Sequence, residues 1–118
     1  MRKYKIYFYI DNRGKSPVVE YLNKQPTKER AKLFKYINYL AEYNEYLREP
    51  YSRRIKGKIR ELKISFGNNK YRVFYFIYVE NKIVILHVFM KKTQKTPIKE
   101  ILRALKNYYN FLNKQKYE

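Results

Sequence analysis

The side chains with the clearest chemical potential in this sequence are four cations, Lys63, Arg72, Lys91 and Lys92. They lie within strand-like segments, or directly after one, in the stretch 56–101, which holds many cations, one histidine and few carboxylates. Lysine and arginine both bind phosphate, and arginine presents two parallel N–H groups that match phosphate oxygens. The pattern therefore indicates a phosphate-binding surface.

Strand periodicity predicts where these cations lie. Lys63 alternates with Leu62 and Ile64, so it faces the side of the sheet opposite to theirs. The turn signal Gly67-Asn68-Asn69 predicts a hairpin that returns Arg72 beside the Lys63 strand.

The next strand ends in Lys91-Lys92, and antiparallel neighbours run in opposite directions. The basic pair is therefore expected near the start of the Arg72 strand, and all four cations are expected to converge on one edge of an open sheet face. Further cations are expected to extend this surface as RNA-binding residues: Lys56, Lys58, Arg60 and Lys95.

The remaining pattern predicts an α+β fold of order β-α-α-β-β-β-α, formed by residues 1–118 as one domain. We expect a mostly antiparallel sheet with the helices packed on one face. The predicted strands are 3–11, 60–65, 70–79 and 83–90, and the predicted helices are 17–23, 27–47 and one from Pro97 with Thr96 as N-cap. The segment 53–57 is interpreted as a basic connection.

The composition limits the classes of partner that the protein is expected to bind. The 118 residues include 28 Lys and Arg against 10 Asp and Glu, a net charge of +18, which favours nucleic acid as partner. AT-rich coding bias is the alternative explanation of the lysines. There is no cysteine, so disulfides and cysteine-based zinc sites are excluded. No apolar segment has the length of a signal peptide or a membrane span, so we expect a cytoplasmic protein without membrane contact.

The other titratable residues limit the catalysis that is available. His87 is the only histidine, and its apolar flanks favour a packed, hydrogen-bonded imidazole. A single histidine excludes a two-imidazole mechanism of RNA cleavage. The carboxylates are scattered, so neither a two-metal nuclease nor any cofactor is expected. Arg72 can form a structural ion pair with Glu61 across the hairpin, which is the alternative to a role in binding phosphate.

Three motifs carry a family resemblance: I-R-E-L-K-I from Ile59, Y-R-V-F-Y-F from Tyr71, and I-L-H-V-F-x-K-K-T-Q-K-T-P-x-x-E-I from Ile85. Together they resemble the RelE superfamily of bacterial toxins, and most closely its phage-derived HigB-like subgroup. The resemblance implies a type II toxin of RelE-like fold, an endoribonuclease that cleaves mRNA on the ribosome without a metal. It also implies a cognate antitoxin, which we expect to be a helix-turn-helix protein, and binding of the toxin to operator DNA only through that antitoxin.

The resemblance also implies residue roles. Arg72 matches the family's arginine at the scissile phosphate, Lys63 a site lysine, and Lys91 with Lys92 the basic pair. Ile98 stands about where some relatives have a tyrosine or histidine acid or base, so the division of proton-transfer roles stays open. Our hypothesis is that Lys63 or Lys91 transfers protons, while Arg72 holds the phosphate and Lys92 neutralises charge.

Three alternatives remain at this point. A toxin of the same fold can act on a target other than RNA, such as a topoisomerase. A non-catalytic RNA-binding module would show salt-dependent binding without cleavage. A basic structural protein, for example one bound to ribosomal RNA, would have the same composition.

Overall fold

The structure is a computed structural model that describes residues 4–116. Lys3, which the predicted first strand includes, lies outside the described residues. The elements in chain order are β1 (Lys5–Phe8), α1 (Pro17–Asn23), α2 (Thr27–Glu42), a 3₁₀ helix (Asn44–Leu47), β2 (Ser52–Lys56), β3 (Ile59–Phe66), β4 (Asn69–Tyr78), β5 (Lys82–Lys91) and α3 (Ile98–Lys116). The α+β class is confirmed.

The five strands form one sheet in the order β1-β5-β4-β3-β2. Among the described residues, only the short β1 pairs in parallel, with β5, and the other neighbouring strands are antiparallel. The sheet is therefore mostly antiparallel, as predicted. The interpretation of 53–57 as a connection was wrong, because Ser52–Lys56 forms the edge strand β2. The four residues of β2 that follow Ser52 are all exposed or partly exposed. The segment therefore lacks the alternation of apolar and polar residues that marks a strand.

The predicted hairpin turn sets the register of the two strands that matter most. Phe66 pairs with Asn69, so Gly67 and Asn68 form a two-residue turn, and Gly67 has a φ of +57°. Glycine adopts this left-handed conformation without steric cost. As a result, Lys63 and Arg72 are direct cross-strand partners.

Helices cover both faces of the sheet, so the prediction of helices on one face was wrong. Helices α1 and α2 pack on one face through Val18, Leu22, Leu33, Ile37 and Leu40. Helix α3 packs on the other face, where Ala104 and its neighbours meet Phe74, Phe76, Val84, Leu86 and Phe89. The physical reason is that β4 and β5 are apolar on both faces, and each face needs a cover.

The start of α3 also differs from the prediction. The helix begins at Ile98, and the hydroxyl of Thr96 donates a hydrogen bond to Glu61 Oε2 at 3.2 Å rather than capping the helix. The loop before α3 is thereby attached to strand β3. In the part of the chain that the structure describes, no helix combines the length and apolarity needed to cross a membrane.

Candidate nucleic-acid interface

A cleft of about 530 Å³ lies at the end of the sheet where β4 begins and β5 ends. It is formed by the β3–β4 turn, the start of β4, the end of β5 and the following loop. Its lining residues are Asn68, Asn69, Lys70, Arg72, Met90, Lys91, Lys92, Thr93 and Gln94. Three of the four cations predicted to converge, Arg72, Lys91 and Lys92, therefore line a single cleft.

Lys63 lies beside this cleft rather than in its lining. It is the cross-strand partner of Arg72 and shares its face of the sheet, while Leu62 and Ile64 lie in the core beneath α1 and α2. Its side chain is 33% exposed, and Nζ lies 4.0 Å from Glu49 Oε2. The predicted face of Lys63 is thus correct.

Glu61 organises the buried side of the interface. Its side chain is fully buried and contacts three groups: Arg53 Nε donates to Oε1 at 3.1 Å, Arg72 Nε lies 3.7 Å from the same oxygen, and Thr96 donates to Oε2. A buried carboxylate is stable only with such partners. Glu61 therefore links strand β2, strand β4 and the loop before α3.

Arg72 is held between this carboxylate and the backbone. Its side chain is 11% exposed, and Nη1 donates to the carbonyl oxygen of Tyr71 at 3.0 Å. Burial lowers the pKa of Arg72, Glu61 opposes that shift and Arg53 adds to it; an arginine nevertheless stays protonated. The Arg72–Glu61 ion pair that the sequence allowed is present, and Arg72 also lines the cleft.

Lys91 is in an environment that disfavours its charge. Burial lowers its pKa from the ordinary value, and nearby Arg72, Arg53 and Lys70 lower it further, against the opposing effect of Glu61. Lys70 is the cross-strand partner of Lys91. A lysine with a lowered pKa supplies a neutral amine at lower pH and can accept a proton.

The structure does not bring the other predicted RNA-binding residues to the cleft. Arg60 lies on the α1/α2 face, where Nη2 donates to Leu47 O at 2.6 Å. Lys56 ends β2 and Lys58 lies in the turn before β3, and both lie beside Leu105 and Tyr108 in the middle of α3. Lys95 is exposed in the loop before α3, where its carbonyl oxygen accepts a hydrogen bond from Thr93.

His87 has the packed, hydrogen-bonded environment that its flanks favour. Its Nε2 lies 2.7 Å from Glu100 Oε1, and its ring stacks on Phe89 with centroids 5.7 Å apart. Burial lowers the pKa of His87, although Glu100 pulls in the opposite direction. Within residues 4–116, no group of three or more His, Asp or Glu side chains is arranged to hold a metal ion.

Two cations of this interface, Arg53 and Lys70, were not among the predicted residues. Alternation from Arg72 places Lys70 on the same face, so that signal was available. Arg53 was hidden because β2 was not recognised as a strand. The same alternation from Lys63 places Arg60 on the opposite face, which corrects the expectation that it extends the patch.

The fold and the cleft together define a small α+β protein with a cationic cleft at one end of a mostly antiparallel sheet. Comparison with protein families identifies the family of the chain. A family model described as "Phage derived protein Gp49-like (DUF891)" matches residues 20–109. Because this match spans most of the chain, the protein belongs to the Gp49-like family, a family of RelE/toxin-like proteins. No curated protein matches the chain.

Proposed function

We propose that this protein is the toxin of a type II toxin–antitoxin system, of the HigB-like subgroup, and that it cleaves mRNA on the ribosome in the cytoplasm. The observation that carries the proposal is the convergence of Arg72, Lys91 and Lys92 in one cleft. Family membership supports a toxin-like role. A cationic cleft of this kind fits a phosphodiester, which is the reacting group in RNA.

The RNA supplies the nucleophile and the leaving group of the proposed reaction, and the side chains of the cleft supply proton transfer and charge stabilisation. The ribose 2′-oxygen attacks phosphorus, and the bond from phosphorus to the 5′-oxygen breaks. A base takes the 2′-hydroxyl proton, cations stabilise the doubly charged phosphorane, and an acid protonates the departing 5′-oxygen. The products are a 2′,3′-cyclic phosphate and a free 5′-hydroxyl end.

Among the cations, Lys91 suits the role of base. Burial and the nearby arginines lower its pKa, so its neutral form is more available than that of an ordinary lysine. Arg72, which forms an ion pair with Glu61 at 3.7 Å and a hydrogen bond to Tyr71 O, is the side chain that we propose binds the scissile phosphate. Lys92 and Lys63 are ammonium groups that neutralise the transition state and can return a proton to the 5′-oxygen.

The high positive charge affects which other molecules bind the protein. A net charge of +18 concentrates RNA near the protein surface, and it also causes nonspecific binding of other polyanions. An antitoxin that covers the cleft would suppress both effects. We expect that antitoxin to be a helix-turn-helix protein, and operator DNA to be bound only through it.

The test is cleavage of a defined mRNA by purified protein, with and without programmed ribosomes, mapped by primer extension. Wild type should cut only in the presence of ribosomes. Arg72→Lys should fold normally and lose most activity, because lysine keeps the charge but cannot form two parallel hydrogen bonds to phosphate. Salt-sensitive RNA binding without any cut would instead establish a non-catalytic RNA-binding module.

A further inference from the structure

Arg53 occupies a position that the cleavage chemistry above does not use. It extends from the edge strand β2 and is the cross-strand partner of Glu61. Its Nε donates to Glu61 Oε1, the same oxygen that faces Arg72 Nε. Two guanidinium groups from different strands therefore share one buried carboxylate oxygen.

The arrangement carries an excess positive charge. One carboxylate balances one arginine, so the Arg53–Glu61–Arg72 group is a net cation. The two arginines repel each other, and Arg53 contributes to lowering the pKa of Arg72. An added anion at this point relieves the repulsion without displacing Glu61.

The exposure of Arg53 shows where such an anion would bind. Its side chain is 46% exposed, against 11% for Arg72. A guanidinium whose Nε–H donates to a carboxylate keeps both terminal NH₂ groups available. These two groups together can donate a pair of hydrogen bonds to one phosphate. The buried end of Arg53 is thus fixed, and its exposed end has donors to offer.

The position of Arg53 differs from that of Arg72 in two directions. Arg53 and Glu61 form one cross-strand row, and Lys63 with Arg72 forms the next. In addition, β2 lies one strand farther out than β3, and Arg53 is absent from the residues that line the cleft. A phosphate bound by Arg53 would lie outside the cleft, beside the one bound by Arg72.

We propose that Arg53 binds the phosphate adjacent to the one held by Arg72, so that Glu61 positions two arginines for two successive phosphates of single-stranded RNA. The proposal rests on the proposed function for the identity of its ligand. It adds a second binding position that orients the strand through the cleft.

The chain provides a matched control in Arg54. It follows Arg53 in β2, so its side chain points to the opposite face of the sheet, and it is exposed. It lies with Lys58, Arg60 and Ile77 at a different surface. Arg54→Ala removes the same charge one residue away without touching Glu61.

The experiment measures binding of a single-stranded 2′-O-methyl RNA oligonucleotide, which cannot be cleaved because its nucleophile is blocked. Fluorescence anisotropy at several salt concentrations gives the affinity and its salt dependence. Arg53→Ala should weaken binding about tenfold, the value of one charge-assisted contact. It should also reduce the salt slope by about 0.7, the value of one phosphate contact. Arg54→Ala should change both much less, and equal effects of the two variants would overturn the proposal.

A methylphosphonate scan then locates the contact. Replacing one phosphate at a time should abolish the Arg53→Ala penalty at one position and the Arg72→Ala penalty at the adjacent position. Loss of both penalties at the same position, or persistence of the Arg53 penalty at all positions, would refute the assignment. If Arg53→Ala does not fold, Arg53→Lys keeps a cation beside Glu61 and should still weaken binding severalfold; unchanged binding by that variant would refute it too.

Cleavage is not part of this readout, so the two proposals fail separately. A protein that shows the two-phosphate pattern but never cuts RNA would refute the nuclease function and retain the Arg53 site. A protein that cuts RNA but shows no effect of Arg53→Ala on RNA binding would refute the Arg53 site and retain the nuclease function.

Discussion

Replacing Glu61 by glutamine tests the role of the buried carboxylate, because it removes the charge with almost no change of shape. Breaking a buried ion pair by removing one partner costs about 3–5 kcal/mol, whereas an exposed pair contributes about 1 kcal/mol or less. Arg72 is 11% exposed and Arg53 46% exposed, so the pair with Arg72 dominates the loss. We expect Glu61→Gln to lower the free energy of unfolding by about 3 kcal/mol, which corresponds to roughly 10 °C in melting temperature for a domain of this size.

Urea denaturation of wild type and variant measures this difference directly. The matched control is Glu80→Gln, which also removes one negative charge but from a side chain that is 78% exposed and 3.5 Å from Lys82. The control should change stability by no more than about 0.5 kcal/mol. A loss below about 1 kcal/mol in Glu61→Gln would mean that Glu61 does not hold Arg72 through its charge, since that is the value of an exposed pair.

Three further outcomes are expected. Burial and Arg72 lower the pKa of Lys91 below 10.5. The single-turnover rate of cleavage should therefore rise with pH and become constant at a pH below 10.5. Lys91→Arg should remove this pH dependence and slow cleavage at least 100-fold. Because burial lowers the pKa of His87, the unfolded chain takes up the proton first, and stability should fall as pH drops through about 6.5. His87→Gln should unfold in urea with a weaker pH dependence and should keep its cleavage activity. Lys70→Ala should weaken RNA binding in an anisotropy assay more than Lys58→Ala, because only Lys70 lines the cleft; equal losses would show that binding follows net charge alone.

Local patterns predicted the central part of the fold well. Alternation around Lys63 and the turn at Gly67 were enough to place Lys63 opposite Arg72, because strand period and hairpin length together determine register. The same reasoning placed Lys91 and Lys92 at the end of β5, beside the start of β4. These features depend on residues close in sequence.

The features that the sequence argument missed depend on contacts between distant segments. Strand β2 has little apolar pattern of its own and is stabilised by pairing with β3. Its Arg53 meets Glu61 only because of that pairing. The packing of α3 on the face opposite to α1 and α2 follows from the apolar character of both faces of β4, which is visible in the sequence.

The most direct test of the proposed chemistry is the structure of the RNA ends produced on the ribosome. Ribosomes require magnesium, so removing metal is not a clean test, whereas end chemistry reports which nucleophile attacked. A 2′,3′-cyclic phosphate upstream and a 5′-hydroxyl downstream, with no product from Arg72→Ala, is the predicted result. A 5′-phosphate with a 3′-hydroxyl would show attack by water, and intact mRNA with wild-type protein on translating ribosomes would contradict the nuclease proposal itself.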